Sequence, residues 1–356
     1  MDSTVSTESQ HNGRKKNIVF LPYKVLMFDS MESVWRAAAN DCLNCNAYVV
    51  PIPYADKNPD GSVREWHCEA DDFPNDVPVE DWHTFDLARL HPDVIVIHNP
   101  YDNLNLVTSV ESRFYSRNLK FFTDKLAYIP YFVVGEPTDE QMRDPEQFEL
   151  QIKGKEHFCV TPGVLNSDVT VVQSENLRKI YIEALIKNTD IKDRSYWEKR
   201  ILGSGSPKID KVLTTKRDEL DIPDEWLRVI KKPDGTWKKI VFYNTGLSAL
   251  LRHNEKMLQK MRRVFAVFKD NKDDVALLWR PHPLIPATIK SMRPHLLPEY
   301  EAILREYKSE GWGIYDDTPD VDRAVVLSDA YYGDGSSVVQ LYEQTGKPIM
   351  MQNVDV

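Results

Sequence analysis

Short apolar runs rich in β-branched and aromatic residues alternate along this chain with longer stretches whose apolar positions recur every three to four residues. The first pattern predicts strands and the second helices, and their alternation predicts a parallel sheet wrapped by helices. In the first half the expected strands are 17–22, 48–52, 93–98, 126–133 and 168–173, with helices over 30–39 and 175–187. Segment 54–86, rich in proline, aspartate and aromatics, shows no period and reads as a long surface excursion.

A second series follows a polar stretch at 222–239. Its expected strands are 240–244, 275–280, 313–315, 329–332 and 348–352, and its helices 253–270, 298–309 and 337–345. The fold class is therefore α/β, with two Rossmann-like domains facing a cleft. The expected division is a polar leader over 1–16, an N-terminal domain over 17–221, a linker over 222–238 and a C-terminal domain over 239–356. Ligands of open α/β sheets bind beyond the carboxyl ends of the strands, so polar residues just after strands are the informative ones.

Composition narrows the class. With 42% hydrophobic and 28% charged residues the chain is globular. No stretch approaches the ~20 apolar residues of a membrane span, and the N-terminus lacks a signal-peptide core, so a cytoplasmic protein is expected. Cys42 and Cys45 form a C-x2-C without a second pair at zinc spacing, and Cys68 and Cys159 stand alone; reduced thiols and no metal centre are expected. A net charge of -10 excludes a large nucleic-acid surface. Residues 178–239 nevertheless hold 16 Lys/Arg against 11 Asp/Glu. They read either as a solvated helical face or as a peripheral contact with an anionic membrane.

Four strand-to-helix segments carry the candidate chemistry. In Leu327–Pro348, a strand runs into Gly333-Asp334-Gly335-Ser336-Ser337 and then a helix bearing Gln340. The glycines allow a tight turn, a serine can cap the helix, and the helix start can meet an anion such as a diphosphate. In Leu277–Leu284, a strand ends in Arg280-Pro281-His282-Pro283, which places a guanidinium beside a stiffened histidine. The third, Leu202–Asp210, joins Gly203, Gly205 and Ser206 to Lys208 and Asp210. The fourth is Phe242–Ser248, with Asn244 and Thr245 at a strand end. In the first half Asp29, His98, Asp102 and Glu136 each follow a strand as possible general bases, and Asp29 reads equally as a helix cap.

Gly205-Ser206-Pro207-Lys208-Ile209-Asp210, Arg280-Pro281-His282-Pro283, and Ser328-Asp329 with Asp334-Gly335-Ser336-Ser337 stand in one order. Together they resemble the CDP-glycerol glycerophosphotransferase family of teichoic-acid synthesis, over roughly residues 200–350. The resemblance implies a GT-B fold and transfer of a glycerophosphate or related group from a CDP-activated donor to the hydroxyl of a polyol or glycan acceptor. It implies that His282 acts at the donor phosphates, that Arg280, Ser336, Ser337 and the Gly205–Lys208 turn bind them, and that no metal or other cofactor is needed. The family's W-H-G-T-like histidine has no counterpart in 128–137, which leaves His98 and Asp29 as base candidates. GDGSS stands where D-Y-S-S is usual, which leaves the donor open to another nucleotide-activated group, including a sugar, and a glycosyltransferase, a non-catalytic binding relative and a nucleotide-sugar epimerase remain as alternatives. The chain ends at Val356 just after a strand, where GT-B proteins usually continue with helices, which is the expectation for a truncated form.

Overall fold

The computed structural model describes residues 14–58, 60–318 and 320–355. Most of the expected leader lies outside the described residues, and Lys16 already opens the first strand. The chain divides into two compact units. The first comprises the described residues of Met1–Tyr131 and Pro137–Pro207, the second those of Phe132–Glu136 and Lys208–Val356.

The strands of the first unit, in chain order, are β1 Lys16–Leu21, β2 Cys45–Val49, β3 Tyr54–Lys57, β4 Val63–His67, β5 Val94–Ile97, β6 Thr108–Val110, β7 Lys125–Tyr128, β8 Val169–Val171 and β9 Ile201–Leu202. Six of them form a parallel sheet in the order β2-β1-β5-β7-β8-β9. Parallel strands are covered on both faces, which is why Ile18–Leu21 of β1 and all of β5 are unbroken apolar runs with Val19, Phe20, Ile95 and Val96 buried. The excursion expected over 54–86 is instead partly sheet. β3 pairs antiparallel with both β4 and β6, and Tyr54 and Ala55 are buried. Its alternation is masked in the sequence because β4 is mostly exposed and β6 has three residues.

The second unit carries β10 Lys239–Thr245, β11 Val275–Pro281, β12 Ile314–Tyr315, β13 Ala330–Gly333 and β14 Ile349–Met351 in the parallel order β12-β11-β10-β13-β14. Alternate residues feed two cores. Ile240, Phe242, Ala276 and Leu278 enter one, and Tyr243, Leu277 and Trp279 the other. The expected linker corrects here. Residues 224–230 form a helix, and Val212, Trp226 and Ile230 are buried in the core beneath β10 and β11. The tryptophan and isoleucine of that polar-looking stretch lie one helical turn apart and go inside. The expected helix 253–270 runs over Glu255–Asp270, and a separate helix, Leu247–His253, precedes it across Asn254 with φ 47°.

An aspartate just ahead of a strand recurs at the amino ends of both sheets. Asp93, Asp168 and Asp329 each accept the backbone N–H of a neighbouring strand, from Asn17, Leu126 and Ile240, at 2.9 Å. Burial works against the charge of Asp93, but Lys16, the Asn17 amide and Arg14 outweigh it and hold the carboxyl far below its usual range.

Of the cations in 178–239, Arg178, Lys187, Arg194, Arg200, Lys211, Arg217 and Lys232 each lie within 4 Å of a carboxylate of the same unit. Such pairing favours the solvated face over a bare basic surface. Among the described residues no helix is long and apolar enough to cross a membrane.

Candidate functional site

In the second unit the carboxyl ends of β11, β10 and β13 lie side by side. Arg280 is in register with Asn244, and Asn244 with Gly333. Beyond the last rungs, the His282 amide donates to the Thr245 carbonyl at 2.8 Å, and the Asp334 amide donates to the Asn244 carbonyl at 3.0 Å. The RPHP and GDGSS segments, 50 residues apart in sequence, thus flank one strand end.

Asn244 is the hub of that arrangement. Its Nδ2 donates to the Arg280 carbonyl at 2.9 Å, while its Oδ1 accepts from Ser336 Oγ at 3.1 Å and Tyr331 Oη at 3.3 Å. Its amide thereby holds three segments together, a structural task beside the donor-phosphate contact expected of it. Thr245, by contrast, is enclosed. It is fully buried, and its Oγ1 accepts from the Trp279 indole at 3.1 Å.

Asp334 is also turned inward. Its carboxylate accepts from the Gly246 amide and from Gln352 Nε2, both at 2.6 Å. Burial raises its pKa, with those two hydrogen bonds pulling the other way. A carboxyl that holds its proton more tightly folded than unfolded loses stability for the chain as pH rises from the unfolded value, 3.8, through the folded one. Wild type should therefore lose ground against Asp334→Asn in urea midpoints taken from about pH 4 to pH 7, and then run parallel to it. A constant gap over that range would refute the burial account.

Ser336 caps the helix Ser337–Glu343, its Oγ accepting from the Val338 amide at 3.2 Å. The helix has seven residues, and one of its first amides is taken by that cap, so its start is a weaker anion site than the sequence suggested. Gly335 and Ser337 are exposed at the turn, and Gln340 packs against the Gly135 backbone.

His282 is half-buried, and burial lowers its pKa from the ordinary imidazole value. Its Nδ1 accepts from the Leu284 amide at 3.2 Å. The neutral ring therefore carries its proton on Nε2, a hydrogen-bond donor held at the strand end. Arg280 reaches Asp316 at 2.6 Å, a pair in which the carboxylate is fully buried and the guanidinium nearly so. One fork of Arg280 is thus anchored rather than waiting for a phosphate.

The remaining motif elements disperse. Ser328 is fully buried and donates to the Ala324 carbonyl at 2.7 Å, and Asp329 sits at the amino end of the sheet. Neither reaches the strand ends where Gly333–Ser337 lie. Gly205 and Ser206 belong to the first unit, whereas Lys208 opens the second. Lys347, in the same matched stretch, donates to the carbonyls of Val325, Val326 and Ser328 and caps a helix; burial lowers its pKa to about 8.

In the first unit His98 is fully buried. Its Nε2 accepts from the Tyr23 amide at 3.1 Å, and its Nδ1 lies 3.0 Å from both Ser30 Oγ and the Met27 carbonyl. An imidazole whose lone pair already holds a backbone N–H in the core cannot take a proton from a substrate, so His98 is corrected to a structural residue. Asp29 opens the helix Asp29–Asn40 and is buried. Asp102 accepts from the Ser116 amide at 2.7 Å and from Ser116 Oγ at 2.8 Å.

No protein-family model matches the sequence, and no curated protein does. Among solved structures the chain resembles the UDP-GlcNAc 2-epimerase of Methanocaldococcus jannaschii at 11% identity and a TM-score of 0.51, covering 95% of this chain and 83% of that one. The UDP-GlcNAc 2-epimerase of Neisseria meningitidis bound to UDP-GlcNAc is similar at 10% identity and a TM-score of 0.50, covering 95% and 82%. The wall teichoic acid polymerase TagF with CDPG matches at 17% identity, covering 96% and 71%, with a TM-score of 0.47. At such identities the likeness to the two epimerases establishes the fold: this is an α/β chain of the GT-B fold.

Proposed function

We propose that the chain is a GT-B enzyme acting on a nucleotide-activated substrate, whose phosphates are met at the carboxyl ends of β10, β11 and β13. One observation carries the reading. A neutral histidine, His282, is fixed with Nε2–H as donor next to the anchored Arg280, while Gly335 and Ser337 are exposed on the turn across β10. Oriented donors and a held positive charge stabilise a departing phosphate without reorganising during the reaction.

The finer reading is transfer of a glycerophosphate group from a CDP-activated donor to a polyol or glycan hydroxyl. The acceptor oxygen forms the new P–O bond, CMP leaves with the bridging oxygen, and a base takes the hydroxyl proton. His98, whose ring is held by the Tyr23 amide, is not that base. A second reading, epimerisation of a nucleotide sugar, draws support from the fold neighbours, which are UDP-GlcNAc 2-epimerases. It needs no acceptor.

Thermal shifts with CDP-glycerol, CMP, UDP-GlcNAc and UDP separate these readings. A ligand at about 100 times its Kd adds roughly 2.7 kcal/mol to the apparent stability. The expected result is a shift with one nucleotide class, weakened about tenfold in affinity by His282→Ala. Turnover of UDP-GlcNAc without an acceptor selects the epimerase reading, and CMP release that needs an acceptor selects the transferase. Absence of any shift, or a shift indifferent to His282→Ala, would reject the site.

A further inference from the structure

Every Pro-Tyr dipeptide in the chain follows a strand of the first unit's sheet. Pro22-Tyr23 follows β1, Pro53-Tyr54 comes four residues after β2, Pro100-Tyr101 follows β5 and Pro130-Tyr131 follows β7. These four strands are consecutive neighbours, β2-β1-β5-β7. Pairing continues past the formal strand ends, with Val50 N–H to the Phe20 carbonyl, Ile52 to Pro22 and Ile129 to Ile97 at 2.8–2.9 Å. Each proline then removes an amide, ends the ladder and fixes the backbone ahead of its tyrosine.

The tyrosines so placed meet one another. The rings of Tyr23 and Tyr54 lie 5.7 Å apart and those of Tyr23 and Tyr131 6.3 Å, both edge to face. The hydroxyls of Tyr23, Tyr131 and Tyr101 form a hydrogen-bonded chain that runs from an almost enclosed residue to a half-buried one. Beneath them Tyr128, the last residue of β7, is fully buried, and its hydroxyl has no hydrogen-bond partner among the described residues. It shares this neighbourhood, with Tyr131, Tyr101 and Tyr23 all in electrostatic reach. Nearby, Gly163 packs directly on Pro100, and two residues before it Thr161 buries a second unpartnered hydroxyl.

We propose that this tyrosine cluster at the carboxyl edge of the first unit's sheet is a binding site for a neutral, polyhydroxylated ligand, a saccharide or a linear polyol. Carboxyl edges of open parallel sheets are where such folds bind ligands. Tyrosine offers an apolar ring to C–H faces and a hydroxyl that both gives and accepts. Burial raises the pKa of Tyr23, Tyr101 and Tyr131, the last to about 12, so the chain of hydroxyls stays uncharged. The charged and titratable groups beside it are already engaged. His98 is held by the Tyr23 amide and by Ser30, Lys24 lies 4.4 Å over the Tyr54 ring, and Glu69 accepts from Tyr54 at 2.5 Å. An anion would find no donor of positive charge among the tyrosines themselves; a neutral hydroxyl finds partners of both kinds.

The test uses the full chain without nucleotide, so its outcome is independent of the donor chemistry proposed for the second unit. Maltohexaose, chitohexaose and ribitol are titrated separately, followed by saturation transfer from aromatic protons and by calorimetry, with sodium phosphate as the anionic comparison. At least one neutral probe should bind, and Tyr101→Phe and Tyr131→Phe should each weaken it roughly three- to tenfold, the loss expected for one hydrogen bond. Both variants keep the ring, and Tyr315→Phe in the second unit should leave binding unchanged. A saccharide response without ribitol assigns the site to glycans, and the reverse to linear polyols. No binding of any neutral probe at about 10 mM, binding of phosphate alone, or affinity unaltered in both tyrosine variants would overturn the proposal.

Discussion

Alanine at position 333 is expected to destabilise the second unit by about 3–5 kcal/mol, a large share of the roughly 5–15 kcal/mol that holds a typical domain folded. Gly333 closes β13 opposite Asn244 of β10, and a Cβ there would lie 2.1 Å from the Asn244 carbonyl oxygen and 2.9 Å from its nitrogen. Both are backbone atoms held in the sheet, so no side-chain rotation relieves the clash. The φ of +152° adds strain for any L-residue. Gly335, two residues on, is the internal comparison. Its nearest neighbour would be the flexible Met351 Cε at 3.6 Å, and Gly335→Ala should stay within about 0.5 kcal/mol of wild type. Urea midpoints at constant m-value decide the matter. Equal stability of the two variants would mean that β13 does not approach β10 this closely.

That glycine also shows what the sequence can and cannot express. The parallel sheets were legible because strands covered on both faces must be apolar throughout, as Val19–Leu21 and Ala276–Trp279 are. Elements that depend on partners far away in sequence were not. β3 is recognisable as a strand only beside β4 and β6, and β9 has two residues. The stretch 222–238 looks like a linker because its polar residues outnumber Trp226, Leu227 and Ile230, yet burial is decided by where those three point.

The site was legible in outline and not in its division of labour. Strand, glycine turn and serine mark the carboxyl end of β13, and RPHP marks that of β11. The motif does not say that Asn244, Thr245 and Asp334 turn inward, because their partners, Arg280, Trp279 and Gln352, lie 36, 34 and 18 residues away. Ser328-Asp329 reads as part of one binding segment with Gly333–Ser337, although four residues of strand separate the two ends of a sheet. Asp329 does what Asp93 and Asp168 do at other strand starts, a repetition visible in the sequence once its meaning is known. The four Pro-Tyr dipeptides are a signal of the same kind, plain in the letters and informative only when the strand order sets them side by side.

Asp316→Asn should produce the other large effect, about 3–5 kcal/mol, because it leaves a nearly buried guanidinium without its counter-charge. The substitution is selective. Asp316 Oδ1 accepts from the Thr318 amide at 3.0 Å and from Thr318 Oγ1 at 2.6 Å, and the asparagine oxygen can keep both. Only the atom facing Arg280, 2.6 Å away, changes from an acceptor to a donor group. Removing both charges together, as Arg280→Met with Asp316→Leu, relieves the uncompensated guanidinium but loses the Thr318 turn, so the double variant should lose clearly less stability than the two single variants summed. The coupling measured in urea is the strength of the anchor. An anchor this strong keeps Arg280 immobile at the end of β11, which is the condition for it to meet a phosphate without reorganising. If Asp316→Asn is as stable as wild type, the pair is loosely solvated, and Arg280 is neither anchored nor preorganised.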